Sequence, residues 1–214
     1  MVKKMKQEVK VVNKWEKLAP EKVIERTIEA LKANGVEAFA VKNREEAKKK
    51  VLELIPKGAE VMTMSSVTLD TIDISKEINE SGKYNSVRNK LMSMNREKQG
   101  REIQKLGAAP EYVVGSVHAV TQDGKVLIAS ASGSQLPAYV YGASKVIWVV
   151  STKKIVKDMQ EGIKRIYEYT FPLEDERARN AYGVGSGVNK LLIINKEFIP
   201  GRIMLIFVKE KLGF

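Results

Sequence analysis

Residues 112–150 read YVVGSVHAVTQDGKVLIASASGSQLPAYVYGASKVIWVV, and their order of apolar runs and small residues sets the expectation for the fold. An apolar run at Lys125 to Ala129 leads into a small-residue loop at Ser130 to Ser134. A short helical pattern at Gln135 to Tyr141 and a second apolar run at Val146 to Val150 follow. Two strands joined by a helix predict a βαβ unit with parallel strands and a right-handed crossover. Ser134 is the expected N-cap, and Pro137 falls in the first turn, where its missing N–H costs little. The N–H groups around Gln135 and Leu136 then face the loop, a setting that attracts anions. Gly133, Ser134 and Gln135 are accordingly expected ligand contacts.

Upstream, residues 8–18 and 20–34 read as helices, the second with Val23, Ile24, Ile28 and Leu31 on one face before Asn34-Gly35 ends it. Val36 to Val41 and Glu60 to Met64 are strand candidates separated by an amphipathic helix at Glu45 to Leu54. The alternation predicts a three-layer α/β fold: a mixed, mainly parallel sheet with helices on both faces. Ser65 and Ser66 follow a strand and open a helix, a good position for holding a ligand. Helix capping is the commoner role of such serines. From Tyr84 a helix carries Val87, Leu91 and Met94 inward, is interrupted at Gly100 and resumes to Gly107, which exposes Arg88 beside the Ser65 segment. His118 is the sole histidine, and Asp123 is placed to orient its imidazole. A hydrogen-bonded structural histidine is the competing reading.

Downstream, Ile155 to Tyr169 reads as a helix that Phe171-Pro172 stops, and Glu174 to Ala181 as a short charged one. The helix dipole accounts for the acidic cluster Glu174-Asp175-Glu176 without a metal. Gly183-Val184-Gly185-Ser186-Gly187 fails as a dinucleotide fingerprint, because it follows a helix and precedes a strand. Leu191 to Ile194 and Ile203 to Val208 are expected to finish the sheet as a hairpin.

The 214 residues suffice for one domain with a helical N-terminal extension at about 1–34. No apolar run approaches the roughly 18 residues of a membrane span. The opening MVKKMKQEVK lacks the apolar core of a signal peptide, so the expected location is the cytoplasm. With no cysteine, the chain supplies no disulfide, thiolate zinc ligand, iron–sulfur ligand or cysteine nucleophile. The net charge of +11 is spread along the chain, and the runs Lys48-Lys49-Lys50 and Lys153-Lys154 sit among glutamates and aspartates. No specific nucleic-acid site is expected. A lysine-rich, cysteine-free surface also suits a protein from a hot environment. Val140, Tyr141, Trp148 and the final Leu-Gly-Phe are read as surplus apolar surface, which predicts a homodimer.

The segments GSVHAVTQDGKVLIAS, ASGSQLPAYVYGASKVIWVVSTKKIVKD and KLLIINKEFIPGRIMLIFVKEKLGF resemble the LUD-domain family of lactate utilisation proteins, relatives of LutC and YkgG. The resemblance runs from about Trp15 to Phe214, with GSQLP and PGRI its most specific parts. It implies the fold of the NagB, RpiA and CoA-transferase proteins. It further implies a component of lactate or organic-acid utilisation working beside iron–sulfur partner proteins. The expected ligand is a small anion, carboxylate or phosphate, held by Ser65, Ser66, Arg88, His118, Gly133, Ser134 and Gln135. No cofactor is implied, and catalysis is left open. A ligand-sensing module and a nucleotide-dependent enzyme resembling 5-formyltetrahydrofolate cyclo-ligase are the alternatives, the second lacking a P-loop.

Overall fold

The computed structural model describes residues 14–214. After a 3-10 turn at Lys14–Glu16, the chain forms α1 (Glu21–Ala33), β1 (Glu37–Val41), α2 (Arg44–Leu54) and β2 (Glu60–Thr63). Next come α3 (Val67–Thr71), α4 (Ile74–Glu80), β3 (Asn85–Ser86), α5 (Val87–Ser93) and α6 (Gly100–Ala108). The middle holds β4 (Tyr112–Gly115), β5 (Ala119–Thr121), β6 (Val126–Ser130), β7 (Lys145–Ser151) and β8 (Ile155–Val156). The chain closes with α7 (Met159–Arg165), α8 (Phe171–Tyr182), β9 (Lys190–Ile194) and β10 (Ile203–Val208).

Six parallel strands make the main sheet, in the order β1-β10-β7-β4-β2-β3. Its central strands are apolar on both faces, as burial on both sides requires. In β7, Val146, Trp148 and Val150 face one core, while Ile147 and Val149 face another. The second core belongs to α2, α3 and α4 through Ala47, Val51, Leu69, Ile74 and Ile78. The first core is shared by α1, through Ile24 and Leu31, and by a second sheet of four strands in the order β8-β5-β6-β9. The architecture is three-layer α/β, a parallel sheet with helices on both faces. Behind the small sheet, Ile166 and Tyr169 of the following helix pack on Ala119, Leu127 and Val156.

The small sheet overturns the βαβ expectation. β6 pairs antiparallel with β5 and β9, whereas β7 lies between β4 and β10 in the main sheet. The helical pattern between them is a π turn at Ala138–Gly142 beginning after Pro137, and Ser134 does not cap it. Nor is there a final hairpin: β9 pairs with β6, and β10 joins β1 and β7 in parallel. Ile155 starts a two-residue strand parallel to β5 instead of a helix. Phe171-Pro172 does not stop the helix, because a π turn at Ile166–Thr170 carries α7 into α8 and places Pro172 in the first turn of α8. Gly100 begins α6. Of the helix expected over 8–18, residues 8–13 lie outside the described residues, and from Lys14 the chain makes only the 3-10 turn.

Trp148 and Leu212, expected at the surface, are buried, while Val140 and Tyr141 remain exposed. Among the described residues, no helix is long and apolar enough to cross a membrane.

Candidate functional site

Strands β2, β4 and β7 run side by side and end at one edge of the main sheet, where β6 of the small sheet also ends. Ligands of open α/β sheets bind outside the carboxyl ends of the strands. A cavity of about 560 Å³ opens here, between these strand ends and α8. Ser65 and Ser66 enter it from the end of β2, Ser116 and His118 from the end of β4, Ser130, Ser134 and Gln135 from the end of β6, and Lys154 from beyond β7.

Each element places its side chain for a local reason. Ser66 sits at the N-cap of α3 but makes no side-chain capping bond. Arg88, in the first turn of α5, is half-buried rather than exposed. Its Nη1 donates to the Thr63 carbonyl at 3.2 Å and its Nη2 to Ser65 Oγ at 3.0 Å, which stretches the guanidinium along the end of β2. Gly115 closes β4 because a Cβ there would collide with the Tyr139 hydroxyl, which forms part of the wall. Ser130 Oγ donates to Gln135 Oε1 at 2.9 Å and accepts the Gly133 N–H at 2.8 Å, so the loop after β6 folds on itself.

His118 is held by the small sheet. Its Nδ1 accepts the Ala129 N–H at 3.1 Å, which leaves the proton of the neutral ring on Nε2. Burial, with the charges of Lys154 and Arg165 behind it, lowers its pKa to about 3. The ring is therefore neutral at pH 7. Asp123 does not orient it: that carboxylate is engaged by the Thr121 hydroxyl and the Lys125 ammonium at the turn.

Six of the seven residues singled out in the sequence line this one cavity: Ser65, Ser66, Arg88, His118, Ser134 and Gln135. Gly133 stands just behind the lining. Its φ of +85° makes it a turn residue, and a Cβ would run into the Lys190 side chain.

The LUD domain model matches residues 24–208, and all the cavity wall except Gly213 and Phe214 falls inside that span. The chain belongs to the LUD domain family. Among solved structures, a DUF162 family protein from Deinococcus radiodurans superposes with a TM-score of 0.56 at 11% identity. The superposition covers 90% of this chain and 99% of that one, a likeness of fold. No curated protein matches the chain.

The residue that the reading of this LUD domain missed is Lys154. The Lys153-Lys154 run is buried, not solvated, with the two side chains only 5% and 3% exposed. Lys153 pairs with Glu16 at 2.9 Å. Lys154 Nζ instead donates to neutral oxygens: the Val117 carbonyl at 3.0 Å, Ser116 Oγ at 3.1 Å and Thr68 Oγ1 at 3.5 Å. Burial first, then Arg165 and Lys153, hold its pKa well below the usual lysine range. Arg165, wholly buried, donates through Nη1 to the His118 carbonyl at 2.6 Å and to Thr170 Oγ1 at 2.9 Å. One signal for Lys154 was available in sequence: it stands between the apolar strand Val146 to Val150 and Ile155-Val156, where a solvated run is out of place.

Glu174 and Arg177 at the rim form a bidentate pair at 2.7 Å, and Arg179 takes Asp175. Glu174 lies in the first turn of α8, where the helix dipole favours a carboxylate, and the i,i+3 and i,i+4 arginines add to it. Among the described residues, no group of three or more His, Cys, Asp or Glu side chains is arranged to hold a metal ion.

Proposed function

We propose that this LUD domain binds the carboxylate of a small organic acid of the lactate class at the strand ends, as a component of organic-acid utilisation. One observation carries the reading: Lys154 is buried on the cavity wall, and among the described residues its amine is bonded only to neutral oxygens, so its charged form lacks a counter-charge. Burying an ammonium without a counter-charge is costly. An entering carboxylate would supply that charge, and Arg88, stretched along the end of β2, would add a planar donor for a second oxygen. Ser65, Ser66, Ser116 and Ser130 surround the two cations with hydroxyls able to donate to the acid or accept from its own hydroxyl. The neutral His118 ring contributes an N–H donor and no charge. These 214 residues contain no cysteine, so they supply no thiolate ligand to an iron–sulfur cluster.

Calorimetric titration with L-lactate, pyruvate and inorganic phosphate tests this on the wild type, Lys154→Met and Arg88→Gln. A hydrogen bond to a charged group is worth about 1.5–3 kcal/mol, so each variant should bind the acid roughly 10- to 100-fold more weakly. Unchanged affinity in both variants would remove the carboxylate from these strand ends.

A further inference from the structure

The cavity is much larger than the anion its strand ends would hold. At about 30 Å³ of liquid volume per water, 560 Å³ has room for on the order of 15 to 20 waters. A three-carbon acid would fill a minor part of that space. Beside the paired Glu174 and Arg177, the remainder of the wall offers apolar surface from Ile166 and Phe171 of the helix, Val184 and Val188 of the loop after α8, and Phe214. Val184 is 65% exposed and Tyr182 at the same mouth 62%, so apolar surface stands uncovered at a rim that is otherwise polar.

The charges divide in the same way. Lys154 and Arg88 lie at the strand ends, where among the described residues no acidic side chain is bonded to them. On the α8 side Arg177 is already neutralised by its bidentate bond to Glu174, and its guanidinium lies 5.4 Å from the Tyr182 ring centroid. Among the described residues that line it, that side offers no spare cation for a second anionic group. The loop that carries Val184 and Val188 is anchored where the Ser186 N–H donates to Asp175 Oδ1 at 2.8 Å. The apolar wall is thus built into the site.

We infer that the acid held in this cavity carries a neutral, apolar body, aromatic or branched, joined to its carboxylate, rather than the bare three-carbon chain of lactate. This rests on the anion site proposed above and names its ligand class. The carboxylate lies at Lys154 and Arg88, and the body covers Phe171, Val184 and Val188. Such a ligand buries most of its surface, as occupants of cavities of this size do.

The experiment compares L-lactate with L-3-phenyllactate by calorimetry on the whole protein. Two variants, Phe171→Ala and Val184→Asp, are titrated beside the wild type, with melting temperatures recorded. Added apolar groups in a fitting pocket discriminate by about 10- to 200-fold. Phenyllactate should therefore bind the wild type at least about tenfold more tightly than lactate. Val184→Asp, at an exposed position that folding tolerates, should erase most of that gain, weakening phenyllactate more than lactate so that the ratio of the two affinities falls toward one. Equal affinity for the two acids would overturn the inference while leaving the anion site standing. Binding of neither acid would overturn both. L-Malate, whose second carboxylate stands where phenyllactate has its ring, binding more tightly than phenyllactate would replace the neutral body with a second anionic group and overturn it too.

Discussion

Burial desolvates the His118 ring, with Lys154 and Arg165 close by, and that burial has a measurable cost in acid. Its pKa falls from 6.5 to about 3 in the folded protein. Between these values the unfolded chain binds the proton more readily than the native one, so stability rises with pH across that window and is lost as pH falls through it. The slope from this one group is at most about 1.4 kcal/mol per pH unit. Urea unfolding at pH 4.5 and 6.5 should show a larger acid loss in the wild type than in His118→Asn, whose carbonyl can still accept the Ala129 N–H. Equal losses would mean that the ring does not stay neutral in acid. The residues of the cavity differ in how far sequence reveals them. Ser65, Arg88 and His118 announce themselves by type and by position after apolar runs. Lys154 does not, because a lysine beside a lysine reads as solvated until the strand order shows that β7 ends between β4 and β10. Arg165 is hidden for the same reason, since the helical phase that sets it against His118 depends on the contact with β5.

At the scale of elements, the helices that formed where expected have local reasons to do so. Asn43 caps α2 by accepting the Glu46 N–H at 2.9 Å, while Glu46 Oε2 accepts the Lys42 N–H at 2.9 Å. Asp158 and Glu161 repeat the device at α7, with 2.9 Å and 2.7 Å. Such reciprocal bonds satisfy donors that a helix start leaves unpaired. Asn43→Ala and Asp158→Ala should each lose about 1 kcal/mol in urea melts. Losses under about 0.3 kcal/mol in both would show that tertiary packing alone sets these helix starts. Strand partners are a different matter. The runs at Lys125 to Ala129 and Val146 to Val150 are alike in sequence, since β6 and β7 are each buried on both faces. The turn at Asp123-Gly124 makes the antiparallel pairing of β6 with β5 local, as in Ala119↔Leu127, but its pairing with β9 is fixed by residues some 60 positions away, as in Ala129↔Leu191. The passage through Phe171-Pro172 is likewise invisible locally. A proline is tolerated there only because the π turn before it has already redirected the backbone bonds.

For the whole molecule, the question is whether the small sheet is a separate unit or part of one cooperative body. Its strands alternate strictly: Val120, Val126 and Ile128 face the main sheet, while Ala119, Leu127 and Ala129 face the helix behind. The inward set shares a core with Val113, Trp148, Leu205 and Phe207 of the main sheet and with Leu31 of α1. Neither sheet can expose this shared layer without giving up the apolar burial that holds the other, at roughly 25 cal/mol per Å². Unfolding should therefore be a single transition in scanning calorimetry, with the van't Hoff and calorimetric enthalpies equal. The cavity lies on the seam between the two sheets, so a ligand there touches both and stabilises the entire fold. At a hundred times its dissociation constant a ligand adds about 2.7 kcal/mol, and for a chain of this length each kcal/mol raises the melting temperature by about 2–4 °C. The single peak should move upward as a whole by roughly 5–10 °C. Two peaks, with only one displaced by ligand, would show that the small sheet with α7 and α8 unfolds independently and that the seam is not a continuous core.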